Sequence, residues 1–283
     1  MITSLNLGTN GRLGNQLFQY AALKAVGLEN NYEVRIPNPN SANWHGQACL
    51  LDNFNVLSNF LTFEDIATIK YWYTEKDHTK LDLSFFTIED HTTLSGFFQS
   101  LKYFEKYKDQ IFKELTPKKE FMKQAEEYMK QFDKDKPVVS IHVRRGDNTD
   151  GINPNMMTSY TPDGYYFKYL QKAVKLFDDC TFLVFTGGSR TEGDNREDIE
   201  WCKDNLNIEA HYSEGSTMED FSRILCCDHS ILGQASSFGL FAGYLNVENG
   251  KTVVAPSVYD PTSSKPHSNR EGLYHPNFKV LCK

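Results

Sequence analysis

The second half of the chain alternates short apolar runs with stretches in which apolar residues recur at helical spacing. The short, mainly apolar runs are residues 138–143, 182–185, 230–232 and 252–255. Strands that alternate with helices favour an α/β fold with a mostly parallel sheet. Ligands of such a sheet bind outside the carboxyl ends of its strands, so we expect a functional site there.

A charged, proline-bearing break, Lys134-Asp135-Lys136-Pro137, precedes the first of these runs. We place a boundary there, which gives an N-terminal α/β lobe of residues 1–136 and a C-terminal Rossmann-like lobe of residues 137–283. A chain of 283 residues is long enough for two lobes with cores of their own.

Composition and charge narrow the classes of function. The formal net charge of −7 argues against general nucleic-acid binding, which needs a basic face. No run of apolar residues is long enough to predict a membrane span, and the first residues do not resemble a signal peptide. None of the 6 cysteines forms a C-x-x-C pair, so we expect reduced thiols and a cytoplasmic protein.

Two adjacent arginines lie where the first apolar run ends, in the segment His142-Val143-Arg144-Arg145-Gly146-Asp147. Each guanidinium at the end of a buried strand needs an anion or a carboxylate, and its planar fork of donors suits phosphate oxygens. We predict that one arginine binds a phosphate while Asp147 holds the other. A purely structural pairing with Asp147 is the alternative.

Two further segments combine small or hydroxyl residues with the start of a helix. Gly11, Gly14, Asn15 and Gln16 form either a loop that admits a ligand close to the backbone or a plain tight turn. Ser236 and Ser237 precede a helix, where hydroxyls and N–H groups either bind phosphate or only cap the helix.

An acidic residue, Asp220, falls in a predicted first helical turn. It is either a favourable charge at the helix end or an acceptor for two N–H donors of a guanine edge. The eight histidines lack paired spacing, and we predict no metal site. Arginines and backbone N–H groups would then have to neutralise a leaving diphosphate.

Together these segments resemble the α-1,2-fucosyltransferases of glycosyltransferase family 11. The similar runs are residues 11–21, 95–104, 142–147, 182–185 with 200–203, and 219–221 with 236–238. They follow the order of the family and cover most of the chain. The resemblance implies a GT-B-type fold of two Rossmann-like lobes with a donor cleft between them. It also implies GDP-fucose as the donor substrate, inversion at the anomeric carbon, and no cofactor or metal.

The resemblance also suggests a role for each site residue. The N-terminal lobe would lie on the acceptor side and contribute the glycine loop, with Gly14, Asn15 and Gln16 lining the donor cleft. Arg144 would contact the β-phosphate, and Asp147 is a candidate general base as well as a candidate partner of Arg145. The remaining donor-binding residues would be His142, Arg145, Asp220, Ser236, Ser237 and Phe238.

Two departures from the family leave the acceptor open. The family usually has Ser-Phe-Ser-Trp-Trp where this chain has Ser237-Phe238-Gly239-Leu240-Phe241, and residues 187–195 look like an extra loop.

We predict transfer of L-fucose from GDP-fucose to an acceptor glycan, with an α-1,2 linkage to a galactoside. The alternatives are a protein O-fucosyltransferase, a transferase of another GDP-sugar, and a non-catalytic nucleotide-sugar or glycan-binding module.

Overall fold

The computed structural model describes residues 1–38, 49–77, 80–146, 159–161, 163–188, 194–259 and 271–281. The chain divides into two compact units. The first comprises Met1–Lys118 and Arg270–Tyr274, and the second comprises Lys119–Asn269 and His275–Lys283.

The first unit combines a long helix with short parallel strand pairs. Its helices and strands are α1 (Leu13–Asn30), β1 (Arg35–Ile36), β2 (Asn59–Phe60), α2 (Phe63–Ala67), β3 (Tyr71–Thr74), β4 (Thr92–Ser95) and α3 (Lys108–Glu114). Strand β1 pairs with β2, and β3 pairs with β4. Ile2 and Thr3 connect the two pairs by parallel bridges to Val34 and Thr93.

The second unit is built on a parallel sheet. Its helices and strands are α4 (Lys119–Met129), β5 (Val138–Arg144), α5 (Tyr165–Val174), β6 (Thr181–Gly187), α6 (Arg196–Asn205), β7 (His211–Tyr212), α7 (Thr217–Cys226), β8 (His229–Ile231), α8 (Ser237–Glu248), β9 (Val253–Pro256) and β10 (Lys279–Leu281). The strand order is β10-β9-β8-β5-β6-β7, and each of these pairs is parallel. This order is doubly wound and reverses between β5 and β8, where such sheets bind ligands. The predicted α/β class with a parallel sheet is confirmed.

Strand β5 lies at the centre because its side chains suit burial on both faces. Residues 138–143 are all buried, and Val139, Ile141 and Val143 belong to one apolar core with Tyr166 and Leu170 of α5. The hydroxyl-bearing residue of this strand, Ser140, donates a hydrogen bond to Ser230 of β8 over 2.9 Å. The central strand is therefore buried without an unsatisfied hydroxyl at this position.

Two features of the second unit differ from the sequence prediction. The units divide after Lys118 rather than after residue 136, because α4 packs on α7 of the second unit. Strand β10 was not predicted, and it pairs with β9 at the sheet edge.

The described cysteines, Cys49, Cys180, Cys202, Cys226 and Cys227, are free thiols, and Cys282 lies outside the described residues. Over the described ranges, no helix is both long and apolar enough to span a bilayer.

Candidate functional site

The carboxyl end of β5 holds the first of the two arginines. Arg144 is the last residue of the strand, and its Nη1 donates a hydrogen bond to the carbonyl of Gly187 over 3.0 Å. Gly188 has φ +98, and a Cβ atom there would lie 1.3 Å from the same Nη1. Gly187, the last residue of β6, therefore supplies the carbonyl, and Gly188, directly after the strand, provides the space that this guanidinium occupies. They open the loop predicted as an insertion, of which residues 189–193 lie outside the described residues.

The second arginine is held by helix α6. Arg145 Nε donates to Asp198 Oδ1 over 3.1 Å, and its guanidinium lies 3.8 Å from the ring centre of Trp201. The side chains of Arg145 and Asp198 are only 13% and 11% exposed, so the pair is largely shielded from water. We predicted that Asp147 would hold one of the two arginines, and in the structure the carboxylate of Asp198 holds Arg145. Asp147 itself lies outside the described residues.

The imidazole of His142 is buried between the strand and helix α8. Its Nδ1 has no hydrogen-bond partner among the described residues, and Cβ atoms on Gly233 and Gly239 would lie 2.8 and 2.9 Å from it. Burial, together with the positive charge of Arg144, lowers the pKa of His142 to about 3. His142 is therefore a neutral side chain whose ring contacts Phe238, with ring centres 5.7 Å apart.

The loop from β8 into α8 is fixed by hydrogen bonds. Gln234 Nε2 donates to the carbonyl of Val258 over 3.0 Å, and the N–H of Ala235 donates to the carbonyl of Tyr259 over 2.7 Å. Ala235 takes a left-handed conformation with φ 44, which turns the chain into the helix.

The N-terminus of α8 begins with the two serines identified from the sequence. Ser236 is the N-cap, and its Oγ accepts a hydrogen bond from the N–H of Gly239 over 3.5 Å. Ser237 and Phe238 follow in the first turn. This contact agrees with the capping interpretation of Ser236, while the partial positive charge of the helix end also suits an anion.

Asp220 lies in the first turn of α7, as predicted. This helix begins with a capping box in which Ser216 and Glu219 bond reciprocally. Asp220 Oδ1 accepts a hydrogen bond from Ser213 Oγ over 2.6 Å. Burial raises the pKa of Asp220 to about 7.

Ring contacts join these residues into one region. Phe221, the neighbour of Asp220, packs edge-on against Phe238 with ring centres 5.4 Å apart, and Phe238 contacts His142. The structure therefore links the end of β5, the start of α7 and the start of α8, at the reversal point of the sheet.

The three remaining predicted residues belong to the first unit. Gly14, Asn15 and Gln16 lie in the first turn of α1, not in the loop before it. Asn15 Oδ1 accepts a hydrogen bond from Gln99 Nε2 over 2.7 Å. Gln16 is fully buried, and its Oε1 accepts from the N–H of Leu50 over 2.9 Å. The Gln16 amide therefore makes a structural contact within this unit.

The sequence did not predict the residues that hold these groups in place. Asp198 and Trp201 lie one turn apart on α6, and Ser213 and Arg223 flank Asp220. For the space beside Arg144, the sequence offered one signal, the glycine pair Gly187-Gly188 shortly after the apolar run 182–185.

Among the residues that the structure describes, no group of three or more His, Cys, Asp or Glu side chains could hold a metal ion. The absence of a metal from the reaction stays a prediction.

The sequence model of glycosyl transferase family 11 matches residues 2–281 of the chain. The chain is 26% identical over 266 residues to galactoside alpha-(1,2)-fucosyltransferase 2 of Rattus norvegicus, an alignment that covers 89% of this chain and 69% of the rat protein.

Solved fucosyltransferase structures have a similar fold. A mutant FUT1 of Arabidopsis thaliana in complex with GDP superposes with a TM-score of 0.52 at 12% identity, over 97% of this chain and 74% of that one. The NodZ alpha-1,6-fucosyltransferase soaked with GDP-fucose superposes with a TM-score of 0.50 at 12% identity, over 86% and 91%. At these identities the likeness concerns the fold.

Proposed function

Because the chain belongs to glycosyl transferase family 11 and is a glycosyltransferase, we propose that it transfers L-fucose from GDP-fucose to a galactoside in an α-1,2 linkage. The names of its relatives support the fucosyl group, the galactoside acceptor and the linkage. The NodZ structure of similar fold was soaked with GDP-fucose, which supports the donor. The observation that carries the proposal is the position of Arg144 at the reversal point of the sheet, in the region that also contains the N-terminus of α8.

In this proposal, the donor binds at the carboxyl ends of β5 and β8. Arg144 contacts the β-phosphate, and the N–H groups and hydroxyls at Ser236 and Ser237 bind phosphate oxygens. Asp220 accepts two N–H donors from guanine. His142 and Phe238 lie beside the nucleotide, and the neutral imidazole adds no charge to its surroundings.

The proposed reaction is an inverting displacement. The oxygen of an acceptor hydroxyl attacks the anomeric carbon of fucose, and the bond from that carbon to the diphosphate oxygen breaks. GDP leaves with the bonding electron pair, so negative charge grows on the β-phosphate, where the Arg144 guanidinium stabilises it. Inversion at the anomeric carbon follows from attack opposite the leaving group.

The proton of the acceptor hydroxyl needs a base or water. Arg145 is already paired with Asp198, so holding Arg145 does not require Asp147. We propose Asp147 as the general base. A folded Asp147→Asn variant with greatly reduced turnover supports that role, and normal turnover in this variant contradicts it.

The test is a matrix of donors and acceptors. Purified protein is incubated with GDP-fucose or GDP-mannose and with a panel of galactosides, other glycans and folded protein domains. The linkage of any product is assigned by NMR. The proposal expects fucose transfer to galactosides with an α-1,2 linkage. Transfer only to protein, transfer only from GDP-mannose, or GDP binding without any transfer would favour one of the alternatives.

The remaining parts of the proposal are metal independence and a cytoplasmic location. If Arg144 and the helix N-terminus neutralise the diphosphate, a chelator leaves the rate of fucose transfer unchanged. Loss of activity with EDTA that Mn²⁺ or Mg²⁺ restores would contradict metal independence. Fractionation of cells that produce the protein tests the location.

A further inference from the structure

A cluster of polar side chains surrounds Asp220. Its Oδ1 lies 2.6 Å from the Ser213 hydroxyl, which donates to it, and 3.5 Å from Nη1 of Arg223. The same Nη1 donates to Ser213 Oγ over 2.9 Å. Each of the three side chains therefore contacts the other two. Ser213 and Arg223 both contact the same carboxylate oxygen, Oδ1 of Asp220.

Arg223 is itself held from a second helix. Its guanidinium lies 4.0 Å from the ring centre of Tyr128 on α4, and its Nη2 lies 3.5 Å from Glu219 Oε1. The Arg223 side chain is only 13% exposed. Stacking on an aromatic face and a carboxylate partner restrict the guanidinium, so its position relative to Asp220 is defined.

The backbone leaves room for this arrangement only because residue 215 is glycine. A Cβ atom on Gly215 would lie 2.3 Å from Nη1 of Arg223 and 2.5 Å from Oδ1 of Asp220. The carboxylate and the guanidinium thus approach the chain more closely than another residue at this position would allow.

We propose that Ser213 and Arg223 are positioning residues for base recognition, because they fix the rotation of the Asp220 carboxylate and keep it charged when GDP binds. This inference rests on the proposed guanine-binding role of Asp220. Guanine presents a ring N–H and an exocyclic amine on one edge, and a carboxylate accepts both only when it is deprotonated and correctly turned.

The charges around Asp220 determine how its affinity for guanine depends on pH. Arg223 and Glu219 face it from its own helix and Tyr128 faces it from α4. Burial raises the pKa of Asp220 to about 7, while the Ser213 hydrogen bond and the Arg223 charge lower it. Burial also raises the pKa of Tyr128. GDP affinity should therefore rise with pH through about 7 and then level off. Removing Ser213 Oγ or the Arg223 charge should move the midpoint upward.

The experiment measures Kd for GDP and for IDP, which lacks the exocyclic amine, between about pH 5.5 and 9 by calorimetry. The variants are Ser213→Ala, Arg223→Met and Arg223→Lys. Arg196→Met is the control, because that arginine lies on α6 with its side chain 85% exposed. Melting temperatures report whether each variant folds. Ser213→Ala removes only one oxygen atom, so it still tests the proposal if Arg223→Met does not fold.

We expect the wild type to prefer GDP over IDP by about tenfold or more, because IDP lacks one hydrogen bond to a charged acceptor. Ser213→Ala and Arg223→Met should reduce this preference and raise the midpoint by about one pH unit. In Arg223→Lys the midpoint should lie closer to the wild-type value than in Arg223→Met, because an ammonium keeps the positive charge. The preference for GDP over IDP should not return, because the ammonium lacks the planar fork of donors.

Two results have different meanings. In the first, the wild type binds and uses GDP-fucose, but folded Ser213→Ala and Arg223→Met keep the wild-type pH midpoint and the preference for GDP over IDP. This result overturns the positioning role and leaves the proposed function standing. If the wild type binds neither GDP nor GDP-fucose, the proposed function itself fails.

Discussion

The backbone of Gly188 lies directly against the guanidinium of Arg144. A Cβ atom added at Gly188 would fall 1.3 Å from Nη1 and 2.4 Å from Cζ of that arginine. The position of the arginine at the end of β5 therefore depends on the residue that directly follows the neighbouring strand β6.

Gly188→Ala should displace Arg144 and lower the rate of fucose transfer by about ten- to a hundredfold, approaching the loss of a donor that stabilises the leaving group. The control is Gly250→Ala. Gly250 also has positive φ, +77, but a Cβ there meets no atom within 4 Å. Both variants carry backbone strain, so only a steric effect on Arg144 separates their activities. Equal activities in steady-state assays would contradict this account.

Asp198→Ala should destabilise the protein by about 3 kcal/mol, because it leaves the Arg145 guanidinium shielded from water without a carboxylate. Asp194→Ala is the matched control. Its ion pair with Arg196 is exposed, so its removal should change the free energy of unfolding by less than about 0.5 kcal/mol. Urea unfolding measures both values, and equal effects would show that Asp198 does not stabilise the end of β5.

Much of the sheet could be predicted from local sequence. The mainly apolar residues 138–143 indicated a strand buried on both faces, and β5 is such a strand. The start of α1 could not be predicted, because the amides of Gln16 and Gln19 satisfy loop carbonyls of Gly11 and Asn10 and so stabilise an earlier helix start. Tertiary contacts decide that boundary.

Ser236→Asp separates the two interpretations of the serine pair. Aspartate also caps helices, so the melting temperature should stay close to that of the wild type. A negative charge beside the diphosphate should nevertheless weaken GDP binding by about tenfold or more. Thr62→Asp, which replaces the N-cap of α2, is the control for a new capping charge elsewhere. Unchanged GDP affinity in Ser236→Asp would show that Ser236 is only a cap.

Asp220→Asn should make the protein more stable at pH 8, although it removes a proposed guanine contact. The pKa of Asp220 is about 7 in the folded protein, above its value of about 3.9 in an unfolded chain. Folding therefore favours the protonated acid, and stability is lost as pH rises between these two values. The stability gain of Asp220→Asn should be largest above pH 7 and vanish towards pH 4.

Glu219 provides the contrast for that prediction. A hydrogen bond from the N–H of Ser216 lowers the pKa of Glu219, so its stabilising contribution is present at high pH and lost as pH falls. Glu219→Gln should thus be less stable than the wild type at pH 8. Thermal melts of both variants across pH test the two signs, and a gain for Asp220→Asn that grows as pH falls would contradict the account.

The candidate site was only partly accessible to sequence reasoning. The sequence predicted Asp220 in a first helical turn, and the serine pair marked the start of α8. The partner of Arg145 could not be deduced, because Asp198 is 53 residues away and carries the same charge as the nearer Asp147. Long-range pairing depends on which helix packs beside the strand end.

The role of Arg144 is tested most sharply by the turnover of Arg144→Ala with GDP-fucose and a galactoside acceptor, compared with the wild type at saturating substrates. Removing the guanidinium from the leaving diphosphate should lower kcat by about a hundredfold or more in a variant that still folds. A folded Arg144→Ala enzyme that forms α-1,2-fucosylated galactoside at the wild-type rate would contradict the role of Arg144.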